Sequence, residues 1–402
     1  MLTRLLPALL ALFPTIFATT PSVPGQTAQG VTARFGEWKV RSQILKAKDF
    51  PLDIVFQADG APAGSVRLQF GRSGSPSGRA WTLLIHDGAG HLVSSFDSRA
   101  FDGAATFWTG PIRGETVTLD LAGGDATTEV ELRGALAMPS FAAATAFSVV
   151  AGGSPWEELY PTSSAMLRAV GSRTGILLTA GDELDPGAAT PTRLSWCCSG
   201  VMIAPDVFLT NWHCGGAKPS ERGFNAEVIG NAVVDLAWED GPARRFLAVK
   251  KRLLSDERLD FALLQVTPAN DQAAAFGRPV PVRLSQVEVK QGDPLVMVHH
   301  AQCRPKLVSR NCSVRALSSP PWTSAGAQTD GSASEIGHDC ASEAGASGAG
   351  MFDPDGRLVA LHHLGFVSDP QRTVGLNSAV RMSAIAAAVR KQDRALADRL
   401  GW

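Results

Sequence analysis

The 402-residue chain is poor in charge: Asp, Glu, Lys and Arg make up 19% of it and sum to −1. That balance provides no field for nucleic acid or an anionic membrane surface, so neither is expected as a partner. Beyond its first residues the chain lacks an apolar run long enough to span a bilayer. It has no cysteine before Cys197 and no Cys-x-x-Cys pair, and Cys-His adjacency is confined to His213-Cys214. No structural metal is therefore indicated, and no organic cofactor either. Residues 33–137 hold neither a His-Cys-acid cluster nor a Gly-rich phosphate loop. Abundant glycine and proline point to a loop-rich β protein.

What is present starts with Met1-Leu2-Thr3-Arg4 and an apolar run from Leu5 to Phe17. One positive charge ahead of about a dozen apolar residues has the form of a secretory signal, and Pro7 and Pro14 are poor in a long helix. Residues 1–25 are expected to be that signal, with removal between Ala18 and Ala28 and a secreted or periplasmic destination. Six cysteines follow, Cys197, Cys198, Cys214, Cys303, Cys312 and Cys340; an even count in an exported chain predicts disulfides. The length predicts two or three domains.

Residues 33–137 read with period two. Val66, Leu68 and Phe70 alternate with polar residues, as do Trp81, Leu83 and Ile85, then Val117, Leu119 and Leu121, then Val130 and Leu132. Asp87-Gly88 and Gly123-Gly124 supply turns. The pattern predicts an antiparallel β-sandwich, an accessory or pro-domain that covers or positions its neighbour. A binding module, with Trp81, Phe107 and Trp108 as contacts, is the alternative.

Residues 138–164 are expected to be a linker and 165–402 a second domain, with Met166 to Thr179 as its first strand region. Cys198–Ile203 and Asp206–Thr210, joined at Ala204-Pro205-Asp206, predict a hairpin that carries His213 at its far end. A bridge from Cys197 or Cys198 to Cys214 would pin the imidazole, as a general base requires. Leu259-Asp260-Phe261-Ala262-Leu263-Leu264 places one carboxylate at the head of an apolar strand, where burial is costly unless a donor meets it; His213 is that donor. Gly345-Ala346-Ser347-Gly348 presents Ser347 as nucleophile, with the N–H groups of Gly345 and Ser347 as the oxyanion hole. Leu295 to Val314 reads as two strands with Cys303 and Cys312 in or beside the hairpin. His299 and His300 lie there on opposite strand faces and cannot share an ion. An amphipathic helix with Met382, Ile385, Val389, Leu396 and Leu400 on one face closes the chain, with Ser383 as its N-cap.

Over roughly residues 165–395 these segments resemble the trypsin-like (chymotrypsin-fold) serine peptidases: Cys-Ser-Gly, Leu-Thr-Asn-Trp-His-Cys, Asp-Phe-Ala-Leu-Leu and Gly-Ala-Ser-Gly. Within them the chain looks most like the bacterial branch of glutamyl and lysyl endopeptidases. The resemblance implies an all-β molecule: an N-terminal sandwich, then a chymotrypsin-like double β-barrel with a C-terminal helix. It implies His213 as base, Asp260 as its orienter and Ser347 as nucleophile of an acyl-enzyme mechanism on protein or peptide substrates. The order His, Asp, Ser differs from that of an α/β-hydrolase. By position Ala341 lies at the base of the pocket for the residue before the cut, His362 would meet an acidic side chain, and Asp369 would select a basic one. Ala346 replaces the aspartate that in animal digestive enzymes pairs with a new N-terminus, so no such activation is expected. Gly350 replaces a family proline and is expected to loosen the loop. Those two departures leave a non-catalytic, protease-like binding protein as the alternative.

Overall fold

The computed structural model describes residues 33–402 except 35–36, 59, 72–77, 102–106, 140–155, 161, 163, 184–191, 217–222, 239–244, 270–276, 278, 286, 319–332 and 365–375. The signal expected at residues 1–25 lies outside them. Among the described residues no helix is long and apolar enough to cross a membrane.

The period-two segments form a sandwich. One sheet pairs Trp81–Asp87 with Thr116–Gly123, Leu119 opposite Ile85, and adds Leu52–Val55 and Leu92–Asp97 at its edges. The other places Glu129–Pro139 between Glu37–Lys46 and Ala61–Phe70. Their inward residues, among them Val66, Leu68, Phe70, Leu83, Ile85, Val117, Leu119, Val130 and Leu132, make one buried core. Trp81 belongs to it, so it is no surface contact; Trp108 is buried elsewhere, against the neighbouring barrel. Of Phe107 the described structure gives only its backbone, in strand Phe107–Trp108.

Two closed six-stranded antiparallel barrels follow. In the first, Thr192–Ala204 pairs with Thr174–Glu183 on one side and Val207–Thr210 on the other, and Val233–Asp235, Phe246–Asp256 and Phe261–Pro268 complete the ring. In the second, Leu307–Ala316, Pro294–His299, Gly350–Phe352, Arg357–Leu364, Asn377–Arg381 and Glu335–His338 close in the same way. The molecule is therefore the expected all-β sandwich and double barrel. A buried cluster that includes Val201, Leu209, Phe261, Val298, Leu361 and Val380 joins residues of both barrels.

Several local expectations change. Met166 lies in a short helix, Ala165–Gly171, and the first strand begins at Thr174. Ser164 caps that helix by accepting from Leu167 N at 3.2 Å. Cys303 and Cys312 do fall in or beside the hairpin as expected, Cys303 in a 3-10 turn, Ala301–Cys303, that connects its strands and Cys312 in the second strand. The C-terminal helix is two helices, Met382–Gln392 and Arg394–Leu400, broken at Asp393, whose carboxylate accepts from Leu396 N at 2.9 Å and caps the second. Arg381, not Ser383, takes the N-cap position, because the preceding strand runs to it.

Gly350 does not loosen its loop. It starts a buried strand, opposite Val298 and Leu361, and a Cβ there would stand 2.7 Å from Val201, 2.8 Å from Phe352 and 2.9 Å from Leu358. Glycine is required by close packing. Gly350→Ala is expected to lower stability by about 1–3 kcal/mol through overpacking, read as a fall in the urea midpoint; an unchanged midpoint would show that the three neighbours yield freely.

Candidate active site

Strand Val207–Thr210 ends beside the two barrels' common core, and a 3-10 turn, His213–Gly215, follows it. The Cys198–Cys214 disulfide ties that turn to the adjacent strand, and Trp196 Nε1 donates to Cys214 O at 2.8 Å. This resolves the pairing left open between Cys197 and Cys198. Because both sulfurs are in a disulfide, they offer no thiolate to an ion beside His213. Cys197 pairs with Cys303 and so links the first barrel to the second; Cys312 pairs with Cys340.

Asp260 precedes strand Phe261–Pro268 and has φ 47°, in the left-handed region that costs a non-glycine about 1–2 kcal/mol. Its hydrogen bonds hold it there. Asn211 Nδ2 donates to its carbonyl at 2.7 Å, His213 N to Oδ1 at 3.0 Å, and His213 Nδ1 to Oδ2 at 2.7 Å. A carboxylate only accepts, so Nδ1 carries the ring proton and Nε2 keeps its lone pair. Nε2 makes no hydrogen bond among the described residues. Burial alone would raise the Asp260 carboxyl, but the imidazoles of His213 and His363 outweigh it and hold the group down to about 2.

Ser347 lies in a tight loop. Its carbonyl accepts from Ser199 N at 2.8 Å and lies 4.0 Å from Cys214 Sγ, which brings it next to the turn that carries His213. Its Oγ is 3.5 Å from His363 O. Ala344 O accepts from Gln302 N at 2.7 Å, and Ala346 O from Ala349 N at 2.9 Å. Since N–H and C=O oppose each other across a trans peptide, the Gly345 and Ser347 N–H groups point away from those partners. Gly345 and Gly348 have φ 94° and 84°; a Cβ would stand 2.7 Å from His300 O in one case and 2.2 Å from Ser199 O in the other. Both places require glycine.

Behind the loop, Ala341 and Ala346 are buried with Trp156, Ala301 and Leu307. Trp156 comes from the stretch expected to be linker. Its neighbours Glu157–Glu158 add a strand to the second barrel, opposite Val308 and Leu307. Ala346, which needs no cationic partner, lies in this apolar cluster, and the Trp156 ring also meets His299 edge-on, with ring centroids 5.7 Å apart.

His362 and His363 end strand Arg357–Leu364, and Gly348 N donates to His362 O at 2.8 Å. His338 Nδ1 accepts from Cys340 N at 3.2 Å, so its Nε2 carries the proton and donates to His362 Nδ1 at 3.1 Å. His362 is thereby left with an N–H at Nε2. Burial pushes His338 down to about 3 and His362 well below its usual range. Asp369 lies outside the described residues. His299 and His300 meet separate partners, Ser309 Oγ at 3.1 Å and Arg304 O at 2.9 Å, and burial pushes both rings down.

The sequence reading missed His363 and Glu335. His363 Nδ1 is 3.3 Å from Asp260 Oδ2, and its Nε2 is 3.3 Å from Ser378 Oγ and 3.5 Å from Glu335 Oε2. Burial would depress this ring, but the two carboxylates prevail and raise it to about 9. The signal for it was a second histidine beside His362 and an acid in an otherwise apolar strand, neither of them distinctive.

Residues 198–361 match the family model of the trypsin-like peptidase domain. No curated protein matches the chain. Among solved structures, a protease from M. tuberculosis in its active form (Rv3671c) is 16% identical with TM-score 0.37, over 63% of this chain and 92% of that one. A serine endoprotease from Yersinia pestis is 19% identical with TM-score 0.38, over 58% and 66%. The HtrA-type protease AlgW with a decapeptide is 16% identical with TM-score 0.39, over 56% and 66%.

Two of the shifted groups, His363 and Asp260, set opposite ends of a stability profile. His363 is raised from 6.5 to about 9, so its contribution is complete below 6.5 and is lost as pH rises through 9. Asp260 is lowered from 3.8 to about 2, so its contribution is present above 3.8 and is lost as pH falls through 2. Urea midpoints are expected to fall between pH 7 and pH 10, and to fall less in His363→Gln. A flat wild-type profile over that range would contradict the charged assignment.

Proposed function

Taking residues 198–361 as a trypsin-like peptidase domain, we propose that the protein is an exported serine endopeptidase acting through His213, Asp260 and Ser347. The observation that carries the reading is the 2.7 Å bond from His213 Nδ1 to the buried Asp260 carboxylate, which leaves Nε2 as the free base beside the Ser347 loop. In this reading Ser347 Oγ attacks the peptide carbonyl as its proton passes to Nε2. Asp260 stabilises the resulting imidazolium, and the Gly345 and Ser347 N–H groups take the oxyanion. The proton goes on to the leaving amine, and water, deprotonated in turn by His213, releases the acyl group from Ser347. No metal or organic cofactor enters these steps. Three disulfides suit an oxidising compartment, which supports export.

The Nε2–H donor that His338 imposes on His362 favours a carboxylate side chain before the cut. The buried cluster that holds Trp156 and Ala346 supports a loop that is ordered without a newly cut N-terminus.

A fluorophosphonate probe is expected to label the purified protein and not Ser347→Ala; absence of labelling before and after limited proteolysis would favour the non-catalytic alternative. Peptides with Glu before the cut are expected to exceed their Lys counterparts at least tenfold in kcat/KM, since an unmatched buried donor discriminates strongly (~10-fold or more). The reverse order would hand specificity to Asp369. Trp156→Ala is expected to reduce the labelling rate about 10-fold or more, as loss of one oxyanion donor does, while leaving the Ser347 site intact.

A further inference from the structure

We propose that His363 is a positioning residue: a charged imidazolium, held by Glu335 and Ser378, that shares Asp260 Oδ2 with His213 and sets the pH range in which His213 serves as base. The proposal rests on the serine-peptidase reading and adds a fourth and a fifth group to it.

Hydrogen-bond counting leads to it first. Ser378 Oγ has one hydrogen, and it is donated to Glu335 Oε2 at 2.7 Å. Toward His363 Nε2, 3.3 Å away, that hydroxyl can only accept. The other oxygen facing Nε2 belongs to Glu335, at 3.5 Å, and accepts as well. On the far side of the ring, Nδ1 faces Asp260 Oδ2 at 3.3 Å, a carboxylate oxygen already engaged by His213 Nδ1. Both ring nitrogens therefore meet acceptors only, and both carry hydrogen.

No titratable neighbour opposes that assignment; burial of the ring alone does. Asp260 and Glu335 lie against the ring from two elements, the turn before strand Phe261–Pro268 and strand Glu335–His338, and both favour the cation. His338, from the latter strand, and His362, from the ring's own strand, are held neutral by burial and add no competing charge. Burial of His363 itself is the opposing influence. His213 reaches it only through Asp260.

A cation shared with Asp260 has two effects on His213. It fixes Oδ2 between two donors, so the acceptor that orients His213 cannot rotate away. It also draws on the same negative charge that would stabilise a protonated His213, so His213 remains a base at lower pH than it would with a full carboxylate to itself.

The test compares wild type with His363→Gln, which keeps a donor without the charge, and with Glu335→Gln. The readout is the pH dependence of fluorophosphonate labelling and of kcat/KM on one peptide. In His363→Gln the acid limb is expected to move to higher pH by about one unit, on the scale a nearby charge commands, with KM little changed. Glu335→Gln should move it in the same direction by less. A uniform loss of rate with an unmoved limb would reduce His363 to a structural role and overturn the proposal. Nitrogen-15 histidine spectra of the wild-type protein test the charge without a variant. One of the eight histidines is expected to show two protonated ring nitrogens at pH 8; eight neutral rings would refute it. Failure of the wild type to label at any pH would remove the peptidase reading and leave the spectral result standing.

Discussion

Everything near the site follows from one constraint: the Asp260 carboxylate is 1% exposed and must keep its charge satisfied without water. An unpaired carboxylate there would neutralise, and a neutral Asp260 would have no charge with which to stabilise a protonated His213. The fold meets the demand with donors from three directions: the His213 backbone, the His213 ring and the His363 ring. Asn211 does the same for the main chain, holding a non-glycine residue in a left-handed conformation. The donors come from the end of a first-barrel strand and from a second-barrel strand, so both barrels must be docked before the charge is stable.

The Ser347 loop depends on support of a different kind. Its backbone points inward because its carbonyls are occupied behind it, by Gln302 N and by Ser199 Oγ. Gln302 has φ 55° and adjoins Cys303, whose bridge to Cys197 fixes that turn against the first barrel. Trp156 is buried in the same apolar cluster as Ala346. Disulfide, buried indole and backbone bonds together hold the loop in place.

Much of this was legible in the chain. Alternation at Val66 to Phe70 and Trp81 to Ile85 carries the sandwich because the period of a strand is two, and the structure buries those residues together. His213 and Asp260 stood out because each sits in a local setting that only its partner explains, and they are bonded. Other features were hidden for physical reasons. Cys197 and Cys198 point to opposite faces of one strand, and sequence cannot say which face meets Cys214. Gly350 looked like a lost proline because its close neighbours, Val201 and Leu358, are remote in sequence. Asp393 breaks the last helix by capping a new one, a choice the apolar stripe does not register. His363 and Glu335 become significant only when the second barrel closes and sets strand Glu335–His338 beside Asn377–Arg381, next to Arg357–Leu364.

The sandwich enters the same chain of dependence through its outer face. Trp108 Nε1 donates to Asn231 Oδ1 at 3.0 Å, and Arg113 stacks over Trp238 at 5.3 Å. Trp108, Leu136 and Met138 pack in one buried cluster with Ile176, Leu178 and Trp238, and that cluster contains Cys197 and Cys303. Trp238 in turn donates from Nε1 to Cys303 O at 2.9 Å. Detaching the sandwich would bare these apolar groups, at about 1.5–3 kcal/mol for each large side chain, and would open the inter-barrel disulfide to solvent. That disulfide anchors the turn on which the Ser347 loop rests. The sandwich is thus coupled to the Ser347 loop mechanically, through the buried cluster, the Cys197–Cys303 bridge and the turn that carries Gln302.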